Sequence, residues 1–160
     1  MRQTPLRVYA DTSVLGGVFD DEFAEPSGRF IQQVREGRFR LVTSAAVLDE
    51  LSRAPSPVRE LLDEIAALVE VVEESEAAVD LQAGYIRAGI VPEKRATDAL
   101  HVALASVAGC AALVSWNFRH IVHFQKVPLH NAVNAIHGYA RLAICAPPEV
   151  VQYDQEEEGI

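Results

Sequence analysis

Two short apolar runs constrain the fold of this chain most strongly, because each is followed at once by a polar residue. Residues 6–10 lead into Asp11, and residues 112–116 lead into Asn117. Short apolar runs bounded by breakers are typical of buried strands. The carboxyl ends of the strands of an open α/β sheet share one edge, where such folds hold their ligands. The chain is therefore predicted to bring two oxygen-bearing side chains to the same edge, where a hard cation is the natural ligand.

Helical stretches separate the strands along most of the chain. The pattern predicts strands over 6–10, 38–43, 69–72 and 112–116, and helices over 26–36, 45–53, 58–68, 76–89 and 92–108. It also predicts N-caps at Ser44 and Ser75. Residues 11–17 are predicted as a turn rich in small residues, and only short pieces are predicted after residue 116. This alternation favours an α/β fold, a three-layer α/β/α sandwich with a central parallel sheet of four or five strands.

Length and composition indicate one compact domain. The chain has 160 residues, of which 49% are apolar, enough for a core of its own. We expect a single domain over 1–153 and an acidic, disordered tail over 154–160. No window has the length of a membrane span or the form of a signal peptide, so a cytoplasmic protein without a membrane partner is expected.

The net charge of −9 hides an uneven distribution. Twelve of the 23 acidic residues fall in a block between Glu60 and Asp80 and in the tail, and the other 11 are outnumbered by the 14 lysines and arginines. Three of those 11 are candidate metal ligands, named below. A polyanion is therefore able to approach that side of the molecule once a metal ion is bound.

Asp98 precedes residues 99–108, a helical stretch that is apolar nearly all round and is therefore expected to be buried. An unpaired carboxylate beside such a helix is costly and tends to recruit a cation. Two structural alternatives remain open. Asp98 or Thr97 caps a helix that starts late, or Asp98 pairs with Lys94 or Arg95.

Asp49 and Glu50 offer a further carboxylate in the helix over 45–53. Successive helical residues point about 100° apart, so only one of the two can face the same edge as Asp11. The pattern alone leaves both open. A solvated helix face explains either residue equally well.

Four blocks of the sequence together resemble the PIN-domain ribonucleases, especially the toxin members of bacterial and archaeal toxin–antitoxin pairs. The blocks are residues 8–13 (VYADTS), residues 43–44 (TS) with 49–51 (DEL), residues 97–101 (TDALH) and residues 113–118 (LVSWNF). They occur in the family's order, and the resemblance spans residues 6–134. It implies a PIN-like fold in which acidic side chains hold one or two Mg²⁺ or Mn²⁺ ions.

The resemblance implies a catalytic set of Asp11, Glu50, Asp98 and Asn117. The three carboxylates take the place of the family's metal ligands, and Glu50 is preferred to Asp49. Asn117 stands at the family's fourth acidic position, where an amide supplies one negative charge fewer. We therefore expect one firmly held ion and a second that arrives only with the substrate phosphate.

Nearby side chains are candidates for contacts with water or phosphate. Thr12, Ser115 and Arg119 are predicted in this role, although Thr12 has the alternative of capping the helix or turn after the first strand. His101 is expected to be a core residue bonded to a backbone carbonyl.

The resemblance implies hydrolysis of RNA phosphodiester bonds and a cognate antitoxin protein as partner. A homodimer is also expected, because the helix over 77–88 has more apolar surface than one core stripe requires. A catalytically impaired PIN-like module that only binds RNA or protein is the alternative. A phosphatase with Asp11 as nucleophile is disfavoured, because the second aspartate that it needs is replaced by Ser13.

Overall fold

A computed structural model describes residues 4–153 of the chain. The strands are β1 (Leu6–Ala10), β2 (Phe39–Ser44), β3 (Val69–Val72), β4 (Ala112–Val114) and β5 (Ala143–Cys145). The helices are α1 (Thr12–Gly17), α2 (Ala24–Arg35), α3 (Ala45–Leu51), α4 (Ser56–Ile65), α5 (Glu76–Arg87), α6 (Ala96–Val107), α7 (Val127–Ile136) and α8 (Pro147–Val150), with 3₁₀ turns at Ala66–Leu68 and Glu93–Arg95.

The five strands form one parallel sheet in the order β3-β2-β1-β4-β5. β1 lies at the centre, where Val8 is in register with Leu41 of β2 and Ala112 of β4. Both neighbours of β1 run parallel to it, so the end of β1 and the end of β4 reach the same edge. The predicted α/β/α sandwich with a parallel sheet is confirmed.

Each face of the sheet carries its own core, because successive residues of a strand point to opposite faces. Tyr9 and Leu113 pack with α5 and α6 on one face. Val8 and Val114 pack with α1, α2, α3 and α4 on the other face. No helix among residues 4–153 is long and apolar enough to cross a membrane.

The sequence prediction was wrong for two segments and for the ends of others, since β4 ends at Val114 and not at residue 116, and α6 begins at Ala96 and not at residue 92. Residues 11–17 were predicted as a turn, but Thr12–Gly17 is a helix. The pattern predicts only short pieces after residue 116, but this segment includes the ten-residue helix α7 and the edge strand β5. Gly17, one of the two glycines that suggest a turn, serves packing, because a Cβ there would lie 2.7 Å from the Ser27 Oγ and 3.1 Å from the Trp116 Nε1. The predicted tail over 154–160 lies outside the described residues.

Candidate active site

Asp11 lies directly after β1 and caps the N-terminus of α1. Its Oδ1 accepts hydrogen bonds from the Ser13 backbone N–H at 3.1 Å and the Ser13 hydroxyl at 2.6 Å. Its Oδ2 accepts one from the Ser115 hydroxyl at 2.6 Å. The residue is only 5% exposed. Burial raises the pKa of the Asp11 carboxyl, although the hydrogen bonds from Ser115 and Ser13 oppose that rise.

Hydroxyl groups tie the ends of β1 and β4 together beneath this carboxylate. The Trp116 backbone N–H donates to the Ser13 Oγ at 2.9 Å, and the Asn117 N–H donates to the Ser115 Oγ at 2.9 Å. Ser115 therefore holds Asp11 and the segment after β4 at once. The predicted contact of Ser115 with water or phosphate competes with these two protein contacts.

Glu50 reaches the Asp11 side of the molecule through Thr12. The Thr12 hydroxyl donates to the Glu50 Oε2 at 2.8 Å. The neighbouring Asp49 instead accepts from Arg53 at 2.8 Å, in an exposed ion pair along α3. The two adjacent carboxylates therefore have different partners, and Glu50 is the one that contacts the helix next to Asp11.

Asp98 stands in the first turn of α6 and is half-buried. The helix has no side-chain cap, and its N-cap position is Arg95. Within residues 4–153, the Asp98 carboxylate makes no hydrogen bond and no ion pair. Asp98 therefore neither caps the helix nor pairs with Lys94 or Arg95. The carboxylate is left near the amino end of a buried helix, where the helix dipole favours negative charge.

His101 connects the three carboxylates electrostatically. It is 5% exposed, and burial lowers its pKa, while the charges of Asp11, Asp98 and Glu50 each raise it. All three predicted carboxylates thus lie within electrostatic range of one imidazole. The predicted bond of His101 to a backbone carbonyl was wrong, because its Nδ1 lies 2.8 Å from the Tyr9 hydroxyl.

Tyr9 extends this contact to α3. Its hydroxyl donates to the Ser44 Oγ at 2.9 Å, and that oxygen also accepts the Val47 N–H at 3.2 Å as the N-cap of α3. Sequence reasoning missed this buried chain from α3 to α6. Tyr9 carried no signal in the sequence beyond that of a core aromatic residue within an apolar strand.

Asn117 and Arg119 lie in the segment after β4. The Asn117 Oδ1 accepts the His120 N–H at 3.0 Å, and its backbone carbonyl accepts from Ile121 and Val122. Asn117 therefore shapes this turn, with its amide oxygen already in use. Arg119 is exposed and makes no ion pair with any acidic residue in the described range.

The donor set suits a hard cation chemically, because carboxylate and amide oxygens are the ligands that Mg²⁺ and Mn²⁺ prefer. Among residues 4–153, the hydrogen-bond partners of the buried Asp11 carboxylate are hydroxyl groups and backbone amides, and none is a lysine or arginine. In residues 4–153, however, no three His, Cys, Asp or Glu side chains are close enough to form a metal cage as they stand. Metal binding would therefore require the exposed Glu50 or the half-buried Asp98 to turn toward Asp11.

Comparisons with known proteins place this geometry in context. The family model described as PIN domain matches residues 8–123. The fold is similar to that of a chain in the crystal structure of VapBC2 from Rickettsia felis bound to a DNA fragment from their promoter, with a TM-score of 0.57 and 14% sequence identity, over 88% of this chain and 98% of that chain. A search among curated proteins found no match.

Proposed function

This chain belongs to the PIN domain family, and we propose that it is a divalent-metal-dependent endoribonuclease that hydrolyses RNA phosphodiester bonds. The observation that supports the proposal best is the relation of three carboxylates to His101. Asp11 follows β1, Glu50 lies on α3 and Asp98 lies on α6, yet the charge of each raises the pKa of the same buried imidazole. No bond of Asp11 or Asp98 to lysine or arginine competes for these charges within residues 4–153.

We assign the metal-binding role to Asp11, Glu50 and Asp98, with Mg²⁺ or Mn²⁺ as the ion. A bound ion of this kind lowers the pKa of water and polarises a phosphoryl oxygen, so no protein nucleophile is required. Ser13 and Ser115 hold the Asp11 carboxylate in place from both oxygens. Thr12 steadies Glu50 from one side. Asn117 positions the segment after β4 and leaves the site one negative charge short, which favours a single firmly held ion.

The direct test compares RNA cleavage by the wild-type chain with cleavage by Asp11→Asn and Asp98→Asn, in Mg²⁺, in Mn²⁺ and in EDTA. The nuclease is supported if the wild-type chain cleaves only with metal and both variants lose cleavage while remaining folded. Asp11→Asn should fold well, because burial already disfavours the charge of Asp11. Cleavage that survives both substitutions would contradict the assignment.

A catalytically impaired binding module is the second candidate, and the engaged amide of Asn117 favours it. In that case the wild-type chain and both variants bind RNA equally and none of them turns it over. Asn117→Asp separates the two candidates further. If the site is merely one charge short, this variant should bind the metal more tightly and cleave RNA faster.

We further propose that the chain is the toxin of a toxin–antitoxin pair and is held in check by a cognate antitoxin protein. The similar fold in a VapBC2 complex supports this partner. Expression of the chain alone should arrest growth, and co-expression of an antitoxin encoded beside it should restore growth. Normal growth on expression of a chain that cleaves RNA in vitro would count against the toxin role.

A homodimer stays a prediction, and α5 exposes less apolar surface than the sequence pattern indicates. Leu81 and Tyr85 of α5 are fully buried against α6 and α7, which leaves Val79, 39% exposed, as the main free apolar residue of that helix. More apolar surface lies on α7, where Ile136 is 83% exposed. Sedimentation of the wild-type chain and of Ile136→Asp would show whether α7 joins two copies.

A further inference from the structure

We propose that Phe118 and Arg119 form a binding surface for single-stranded RNA beside the carboxylates, with a base stacked on Phe118 and a phosphate bound by Arg119. This inference rests on the proposed ribonuclease function and specifies how its substrate is held. Both residues directly follow Asn117, in the segment that leaves the end of β4.

The aromatic half of this surface is rigidly supported. The Phe118 ring is 51% exposed and packs edge-on against Trp116, with ring centroids 6.0 Å apart. Trp116 in turn stacks on Phe23 at 4.3 Å and donates its indole N–H to the Ser27 Oγ at 2.8 Å. A large apolar ring that remains half exposed above a fixed support offers its free face to a planar ligand.

The same support links Phe118 to the carboxylates. The Trp116 N–H donates to the Ser13 Oγ, which is itself bonded to Asp11. Two hydrogen bonds thus connect the backbone of Trp116 to the Asp11 carboxylate through Ser13. A base stacked on Phe118 would therefore lie on a segment that is hydrogen-bonded to the residue holding Asp11.

The basic half of the surface gathers around His120. The Lys126 Nζ lies 3.3 Å from the His120 Nδ1, and the charges of Arg95 and Arg119 act on the same imidazole, as does that of Asp98. Within residues 4–153 none of the three cations forms an ion pair with a carboxylate, although the chain has a formal net charge of −9. Unneutralised cations beside a carboxylate site suit a polyanion that passes over that site.

Stacking selects a single strand over a duplex. Bases inside an A-form helix are paired and stacked on one another, whereas an unpaired segment can lay a base on an aromatic side chain. A single exposed ring with neighbouring cations matches the combination used by proteins that bind single strands. The expected ligand is therefore an unpaired stretch of RNA, in a loop or at an end.

The test measures the dissociation constant of a fluorescein-labelled ten-nucleotide single-stranded RNA by anisotropy, with Ca²⁺ in place of Mg²⁺ so that a divalent ion still neutralises the carboxylates, and a gel run after each titration checks that the RNA is intact. Phe118→Ala should weaken binding by on the order of tenfold. Phe118→Tyr should restore it and Phe118→Leu should not, because only the first keeps an aromatic face. Arg119→Gln should weaken binding and lower the slope of log affinity against log salt by about 0.7.

Phe124→Ala is the matched control. Phe124 lies in the same segment and is 92% exposed, but it lines a separate groove with Arg141, Ile144 and Glu149. Its removal should leave binding unchanged. Binding of an RNA duplex of equal length should also be unaffected by Phe118→Ala.

The outcomes separate this inference from the nuclease proposal. Phe118-dependent RNA binding without any cleavage in Mg²⁺ or Mn²⁺ would support the surface and refute the nuclease. Metal-dependent cleavage with an unchanged dissociation constant and KM in Phe118→Ala and Arg119→Gln would overturn the surface and leave the nuclease intact. No measurable binding of the single strand by the wild-type chain, or equal losses in Phe118→Ala and Phe124→Ala, would also overturn it.

Discussion

Asp49 and Glu50 are adjacent carboxylates with different partners, Arg53 and Thr12. Removing one negative charge at each position in turn therefore gives a matched pair of variants. Glu50→Gln should lower kcat for RNA cleavage by at least a hundredfold, because it removes a charge that the metal would need. Asp49→Asn should leave kcat unchanged. It breaks only an ion pair with Arg53 in which both side chains are at least 70% exposed, and such pairs contribute little to stability.

Kinetics of both variants at saturating Mg²⁺ check this prediction. Equal losses of kcat in the two variants would mean that only the total negative charge of α3 matters and that Glu50 has no specific role. A loss confined to Asp49→Asn would reverse the assignment of the two residues.

His130 is a fully buried imidazole on α7 that makes stability depend on pH. No residue among 4–153 makes a hydrogen bond to either ring nitrogen, and the effect of burial exceeds that of the Lys126 backbone hydrogen bond, which favours the protonated form. Burial lowers the pKa of His130 from 6.5 to about 4. Between these two pKa values His130 is protonated in the unfolded chain but neutral in the folded chain. The contribution of His130 to the free energy of unfolding is therefore lost as the pH falls from about 7 to 4.

His130→Phe should remove this dependence, because the phenyl ring can keep the edge-on contact with Tyr85. Between pH 7 and pH 4 the wild-type chain should lose about 3 kcal/mol more unfolding free energy than the variant. Urea denaturation at several pH values measures the difference. Parallel pH profiles for the two chains would show that folding does not change the pKa of His130.

At the scale of the helices, two serine N-caps allow stability and function to be separated. Ser44 caps α3 and also accepts from Tyr9, whereas Ser75 caps α5 through the Ala78 N–H alone. Ser44→Ala and Ser75→Ala should each cost about 1 kcal/mol of unfolding free energy. Only Ser44→Ala should also lower kcat, because α3 carries Glu50 and Tyr9 contacts His101.

Thermal denaturation and cleavage assays on both variants check this prediction. A kcat loss of similar size in Ser75→Ala would mean that activity merely follows global stability. An unchanged kcat in Ser44→Ala would show that the contact from Ser44 through Tyr9 to His101 has no effect on the site.

Helices and strands with strong local signals were predictable from sequence. The caps at Ser44 and Ser75 are as expected, and β1 and β3 begin and end at the expected residues. α1 was missed because its glycines looked like turn residues, whereas Gly17 is required by the close approach of Ser27 and Trp116. That reason is tertiary, and no local pattern contains it.

For the whole molecule, the parallel sheet explains why the sequence could predict that the ends of β1 and β4 share one edge. Asp11 and Asn117 had to share an edge once β1 and β4 were parallel neighbours. The partners of these residues were less predictable. The link from Ser115 to Asp11 and the hydrogen bond between Tyr9 and His101 each join residues about a hundred positions apart, and their geometry depends on packing across both faces of the sheet.

The central claim is that Asp11, Glu50 and Asp98, which come from three separate parts of the fold, bind one divalent ion. Anomalous diffraction from a crystal soaked in Mn²⁺ tests it most directly. The account predicts one strong peak coordinated by Asp11 and Asp98, with Glu50 turned toward it and any second peak weaker. Absence of a peak beside Asp11 at a Mn²⁺ concentration that saturates cleavage, or a peak held by other side chains, would contradict the account.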